Sequence, residues 1–300
     1  MKQQGILQAL KELSLEIYEV TTTLIKIMIP AIIVIKLLEE LGGIELLSLL
    51  LAPVMAWVGL PESMGIVWAT TLLTNIYTGM LVFFTHSSEA NLTVAQVTVL
   101  SGMMLMAHAL PIEARIAQKS GIRLSVTLAL RIGGALVYGW LLNNIYASGD
   151  WLQQSNHLLW QPEIMSTTSL NFWDSLGLWF IEQIKGLLAV FVIICLLLST
   201  LKVLKLVGIE RLISWLLSPL LHLLKIGKEA TTITLIGITL GLSFGGGLLI
   251  KEAKAGHVSK QDIFSSMSLL ALCHSIIEDT LLVMLLGAHI SGALWLRIVF

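Results

Sequence analysis

From Gly186 to Leu198 the chain runs GLLAVFVIICLLL without one charged or strongly polar side chain. This run lies in one of ten long apolar stretches, at 20–38, 45–58, 63–85, 93–112, 122–142, 178–199, 209–224, 229–250, 262–279 and 289–300. A water-soluble domain cannot bury so many in succession. Only 12% of the 300 residues are charged and 56% are apolar, whereas soluble chains carry roughly 25% charged residues. Lipid is the solvent that such a sequence suits, and the bilayer is its first partner.

The rest of the composition narrows the function classes. Cys195 and Cys273 both lie in apolar runs, so no disulfide framework is expected. A net charge of −1 argues against a nucleic-acid partner. No glycine loop ending in lysine and Ser/Thr is present, which argues against an ATP-driven pump. HSIIED is too thin a motif for a membrane hydrolase, and an enzyme is not expected. No Cys-x-x-Cys or His-Glu-x-x-His spacing occurs, so the linear sequence offers no metal motif.

A helix needs about 20 residues to cross the hydrocarbon. The stretches 45–58 and 209–224 are shorter, contain Pro53 and Pro219, and read as interfacial helices. The N-terminus opens with the amphipathic QALKELSLEIYEV rather than a cleavable signal, so the first membrane segment is expected to be retained. Residues 143–176 read as a hydrophilic, extracytoplasmic loop between two repeats, 1–142 and 177–300.

The repeats appear when the chain is slid by 166 residues, which lays Pro53 on Pro219, Gly79 on Gly245, His108 on His274, Gly121 on Gly287 and Arg131 on Arg297. Thr93 falls on Ser259, Gln96 on Asp262, and Glu113 on Asp279. LTVAQV and VSKQDI both offer a hydroxyl N-cap with an acceptor three residues on.

Lysine and arginine orient the halves, because short loops rich in them stay cytoplasmic. The first half has none in 39–62 or 85–92 but has Arg115, Lys119 and Arg123 in 114–123. The second half is reversed: Lys202, Lys205, Arg211, Lys225, Lys228, Lys251, Lys254 and Lys260 flank its early segments, and 280–289 has none. Equivalent loops then lie on opposite sides, as in inverted-topology repeats. Residues 63–85 have cation-free loops at both ends and read as a re-entrant hairpin broken at TNIYTG; 229–250 read as its counterpart, broken at LSFGGGLL. The expectation is an all-α integral membrane protein in which each repeat has three spanning helices, one interfacial helix and one re-entrant hairpin, with both termini cytoplasmic.

Non-helical backbone at membrane depth survives only where protein or a wet cavity satisfies it. The hairpin tips are therefore candidate solute contacts, through Asn75, Tyr77, Thr78 and Gly79 in one and Ser243, Gly245 and Gly246 in the other. Close helix packing is the alternative for such glycines. AHALPIE and CHSIIED each place a carboxylate five residues after a histidine. His108, Glu113, His274, Glu278 and Asp279 suit solute binding, coupling to Na+ or H+, or divalent-ion ligation, unless the histidines only join helices. Arg131 and Arg297, inside the last span of each repeat, need partners among these acids.

The hairpin ATTLLTNIYTGMLVFF followed by TVLSGMMLMAHALPIEARIAQKSGIRL, and then repeated, resembles the nucleoside recognition, or Gate, domain family. That family includes the core of concentrative nucleoside transporters, gate segments of the bacterial ferrous-iron transporter, and spore maturation membrane proteins. The resemblance implies a bacterial inner-membrane protein with hairpin tips at a central site. The tips here lack the Gly-Cys-Asn-type motif of the iron transporter.

These readings converge on a permease for a small polar solute, nucleosides first, working by alternating access without a bound cofactor. A non-transporting assembly factor and a divalent-metal channel are the alternatives. By the repeat, the last span should run beyond Phe300, so either the sequence is a fragment or the second repeat is incomplete and a partner, for instance a second copy in a homo-oligomer, completes it.

Overall fold

A computed structural model describes residues 2–158, 172–224, 226–242, 250–251, 256 and 258–300. Regular structure among them is helical, apart from one isolated bridge between Thr93 and Ser155. The first half contains α1 (Lys2–Glu40), α2 (Gly43–Trp57), α3 (Met64–Leu73), α4 (Ile76–Ala90), α5 (Val94–Met106), α6 (Leu110–Lys119) and α7 (Leu124–Leu128). From α7 a π turn, Ala129–Gly133, leads into α8 (Gly134–Ser148). The second half contains α9 (Phe172–Val207), α10 (Ile209–Leu223), α11 (Lys228–Leu240), α12 (Lys260–Leu272) and α13 (Glu278–Met284). A second π turn, Ser291–Trp295, precedes the short α14 (Leu296–Val299).

Among the described residues, four stretches are long and apolar enough to cross a bilayer: Lys11–Leu38, Val94–Lys119, Leu124–Ser148 and Trp173–Leu204. The helices α1 and α9 pack on each other and turn apolar faces outward, with Ile33, Leu37, Ile184 and Leu188 exposed. Water would penalise those faces; lipid does not. In contrast α5 is buried all round, from Val97 to Met106, which places it at the centre of the bundle. Helix α8 lies against it through small residues. A Cβ on Gly102 would come within 2.8 Å of Tyr138, and one on Gly139 within 2.8 Å of Met103, so the close approach needs glycine on both helices.

Local chemistry sets the helix starts. Thr93 Oγ1 accepts from the Gln96 amide while the Gln96 side chain accepts from the Thr93 amide, closing a capping box on α5. Ser259 Oγ likewise accepts from the Asp262 amide at α12. The amides of Val94 and Ala95 find carbonyls in the loop, Gln154 and Leu152, which satisfies two donors left over at the start of α5.

Several boundaries differ from the sequence expectation. The loop expected at 143–176 is shorter, because α8 continues to Ser148 and α9 has begun by Phe172. Asn143–Ser148 reads as polar, yet Tyr146 is buried and its hydroxyl meets Ser291 Oγ at 2.8 Å, so tertiary contact carries the helix onward. The stretches 93–112 and 262–279, expected to span as single helices, are each unwound, at 107–109 and 273–277. The last expected span, 289–300, is a π turn and a four-residue helix.

Candidate functional site at two unwound turns

The break in α3–α4 falls within TNIYTG. Asn75 is extended and caps α4, its Oδ1 accepting from the Thr78 amide at 2.9 Å and standing 3.2 Å from the Thr78 hydroxyl. Thr78 is fully buried and spent on this cap, whereas Asn75 Nδ2 is buried with no hydrogen-bond partner. Gly79 lets the two hairpin helices close up, since a Cβ there would strike the Thr71 hydroxyl. Tyr77 leaves the hairpin and donates its hydroxyl to Glu278 Oε1 at 3.1 Å. In the counterpart, α11 ends at Gly241 with φ of 101°; Ser243, Gly245 and Gly246 lie outside the described residues.

The two unwound turns are built alike, 166 residues apart. At the end of α5, Ala107 has φ −140° and ψ 93°; at the end of α12, Cys273 has −139° and 88°. Two residues later Ala109 and Ser275 enter the left-handed region at φ 47° and 46°, a conformation that non-glycine residues adopt only when surroundings hold them there. His108 Nδ1 meets the Met104 carbonyl at 2.9 Å, and His274 Nδ1 meets the Leu270 carbonyl at 2.6 Å.

The same symmetry governs the arginines. Arg131 Nη2 donates to the His108 carbonyl at 2.8 Å, and Arg297 Nη2 donates to the His274 carbonyl at 2.9 Å. Each also crosses to the other half. Arg131 Nη1 reaches the Ala271 carbonyl at 3.3 Å, and Arg297 Nη2 reaches the Leu105 carbonyl at 3.4 Å. These are carbonyls at the C-terminal ends of α12 and α5, where the helix dipole favours a cation. The arginines differ in their acids: Arg131 is in direct ion-pair contact with Glu113 Oε2, whereas among the described residues no carboxylate contact of Arg297 lies within 4.0 Å, and its Nη1 is buried without a hydrogen-bond partner.

The turns face each other. His108 Nε2 and His274 Nε2 are 3.1 Å apart. Glu113 Oε1 stands 3.4 Å from the first and 3.3 Å from the second, and Asp279 Oδ2 stands 3.8 Å from His108 Nε2. Glu113 and Asp279 occupy the first turns of α6 and α13, the positive ends of those helices. The structure thus brings His108, His274, Glu113, Asp279, Arg131 and, through Tyr77, Glu278 into one buried constellation, while the rest of the first hairpin tip is used in capping and packing. The sequence reading had divalent-ion ligation among the uses of these residues but no linear spacing to support it, because the donors come from opposite halves of the chain. It also missed Thr127 and Ser268, which line a narrow crevice of about 10 Å³ beside Arg131. Thr127 Oγ1, Ser268 Oγ and Arg131 Nε are buried there without hydrogen-bond partners.

An all-helical bundle with lipid-compatible faces and a charged, buried centre defines an integral membrane protein. The chain is 30% identical over 282 residues to the uncharacterized membrane protein YvoD of Bacillus subtilis (strain 168), a match that takes in 94% of this chain and 88% of that one, and it belongs to that protein's family. No family model matches the chain. No solved structure matches it.

Proposed function

We propose that the protein is a permease of the inner membrane for a small polar solute, built from two repeats of opposite topology with both termini cytoplasmic. The observation that carries the reading is the meeting of two matched unwound turns, each presenting a histidine, 3.1 Å apart in the buried centre. Interrupted helices that meet near the midplane are how many secondary transporters make a site. The opposed lysine and arginine distribution of the two halves supports opposite threading. Two arginines against three acids, Glu113, Glu278 and Asp279, leave the centre one positive charge short when every acid is ionised, which suits coupling to a proton or Na+. The crevice beside Arg131 has free space of about 10 Å³, room for a single water, so the helices around it must part to admit a solute. Its unpartnered hydroxyls are the groups that a polar solute would satisfy. The likeness to nucleoside recognition domains makes nucleosides the first solutes to try.

Flux into vesicles carrying the purified chain, with and without an imposed proton or sodium gradient, tests this. Gradient-dependent uptake of a nucleoside or another small polar solute is expected. No flux of any solute across a broad panel, with the protein inserted and folded, overturns it. A divalent-ion channel is the second reading, favoured by the histidine–carboxylate cluster, and it predicts metal flux in the same vesicles.

A further inference from the structure

We infer that His108 and His274, with the carboxylates of Glu113 and Asp279, form a binding site for a divalent transition-metal ion, best matched by Zn2+. The inference stands on the geometry of the cluster and does not require the permease reading.

The two histidine donors stand at ligand spacing from each other and from Glu113, and Asp279 stands near that spacing from His108. With Zn–N and Zn–O distances of about 2.0–2.2 Å, a tetrahedral site sets neighbouring ligand atoms roughly 3.3–3.6 Å apart. The observed separations are 3.1 Å between the two Nε2 atoms, 3.3 and 3.4 Å from these to Glu113 Oε1, and 3.8 Å from His108 Nε2 to Asp279 Oδ2. The ligand atoms of His108, His274 and Asp279 all fall within 4.8 Å of one another.

The surroundings are those of a metal site as well. Each Nδ1 faces a backbone carbonyl, so each neutral ring carries its proton on Nδ1 and turns its Nε2 lone pair inward. This is the outer-shell arrangement that fixes ligating histidines. Two lone pairs 3.1 Å apart repel unless a cation lies between them. Arg131 holds the other oxygen of Glu113 and so orients the carboxylate. Asp279 Oδ2 is buried with no hydrogen-bond partner, an acceptor that an ion would satisfy. All four residues are buried, with His274 only 2% exposed.

The full chain, purified in detergent and stripped with a chelator, is titrated with Co2+ as a spectroscopic substitute for Zn2+. A saturable visible d–d band of tetrahedral type at one ion per chain is expected, and Zn2+ should displace it. Asp279→Asn, close in shape to the native residue, and His274→Gln should each weaken binding at least about tenfold. His289→Ala, an exposed histidine outside the cluster, should bind as the unaltered protein does. A wild-type chain with no saturable site overturns the inference whatever the variants do, and so does undiminished binding by Asp279→Asn. Metal binding without solute flux would leave this site standing and remove the permease; flux without metal binding would do the reverse.

Discussion

Arg131 donates from Nη2 to the carbonyl of His108 at 2.8 Å, joining a π turn to an unwound turn twenty-three residues earlier. A freed carbonyl in a bilayer core costs several kcal/mol, and this bond satisfies one. The same side chain grips Glu113, so a single cation serves both the broken backbone and the acid beside the histidines. Its counterpart Arg297 holds the His274 and Leu105 carbonyls and, through Nε at 3.4 Å, that of Leu272.

The two arginines should therefore differ in what their loss costs. Arg131→Leu strands a buried carboxylate, at about 3–5 kcal/mol; Arg297→Leu strands carbonyls alone, at about 1–3 kcal/mol. Denaturation in detergent should rank Arg131→Leu as the more damaging, and removing Glu113 as well, in Arg131→Leu/Glu113→Leu, should restore part of the loss. An equal or reversed ranking would mean that the Glu113 pair adds nothing.

Tyr77 is the one described residue of the first hairpin tip seen to bond across to the second half, through Glu278. Tyr77→Phe keeps the ring and removes a hydrogen bond worth about 0.5–3 kcal/mol, the upper end applying when Glu278 is ionised. The fold should survive, with amide exchange in α4 up to roughly a hundredfold faster, since 1.4 kcal/mol is about tenfold in an equilibrium. Glu278→Leu, which has no acceptor, should do the same, and the double variant should be no worse than either single one. Additive effects would show that the two side chains act separately.

What the sequence made legible was local chemistry and register. Thr93 and Ser259 announced their helices by hydroxyl caps, Asn75 announced the break between α3 and α4, and the 166-residue shift already paired His108 with His274 and Arg131 with Arg297. The unwound turns were harder to see. Pro111 hints at the first, because its ring would clash with the carbonyl four residues back, that of Ala107. The second has no proline and no glycine. It is opened instead by partners far along the chain: Ile276 donates to the Ile238 carbonyl at 2.8 Å, and Arg297 collects the freed oxygens. Helix propensity carries no trace of such tertiary capture. Nor does any linear spacing reveal a cluster assembled from two halves, so the absence of a metal motif in the sequence said little about the centre.

The contact of Gly79 with Thr71 makes a separate claim on hairpin packing. Gly79→Ala drives a methyl into the Thr71 hydroxyl, and overpacking of this kind costs about 1–3 kcal/mol. In a Thr71→Ala background the hydroxyl is gone while Thr71 Cβ would still lie 3.0 Å from the new methyl. The penalty should then shrink by about 0.5 kcal/mol or more without vanishing. If Gly79→Ala costs as much in both backgrounds, the glycine is needed for backbone reasons instead.

Opposite threading of the halves can be tested at a pair of equivalent surface sites. Gly121 and Gly287 both turn the chain with left-handed φ, 97° and 95°, and two residues beyond them stand Arg123 and His289, each exposed. In two repeats of the same topology these side chains would face one compartment; in inverted repeats they face opposite ones. The arginine-bearing loop belongs in the cytoplasm and the cation-free loop before His289 outside. With Cys195 and Cys273 replaced, Arg123→Cys should react with a membrane-impermeant thiol reagent only after the cells are opened, while His289→Cys should react in intact cells. Labelling of both from the same side would leave the matched turns at His108 and His274 as a local likeness, and the permease would lose its means of presenting one site to two compartments in turn.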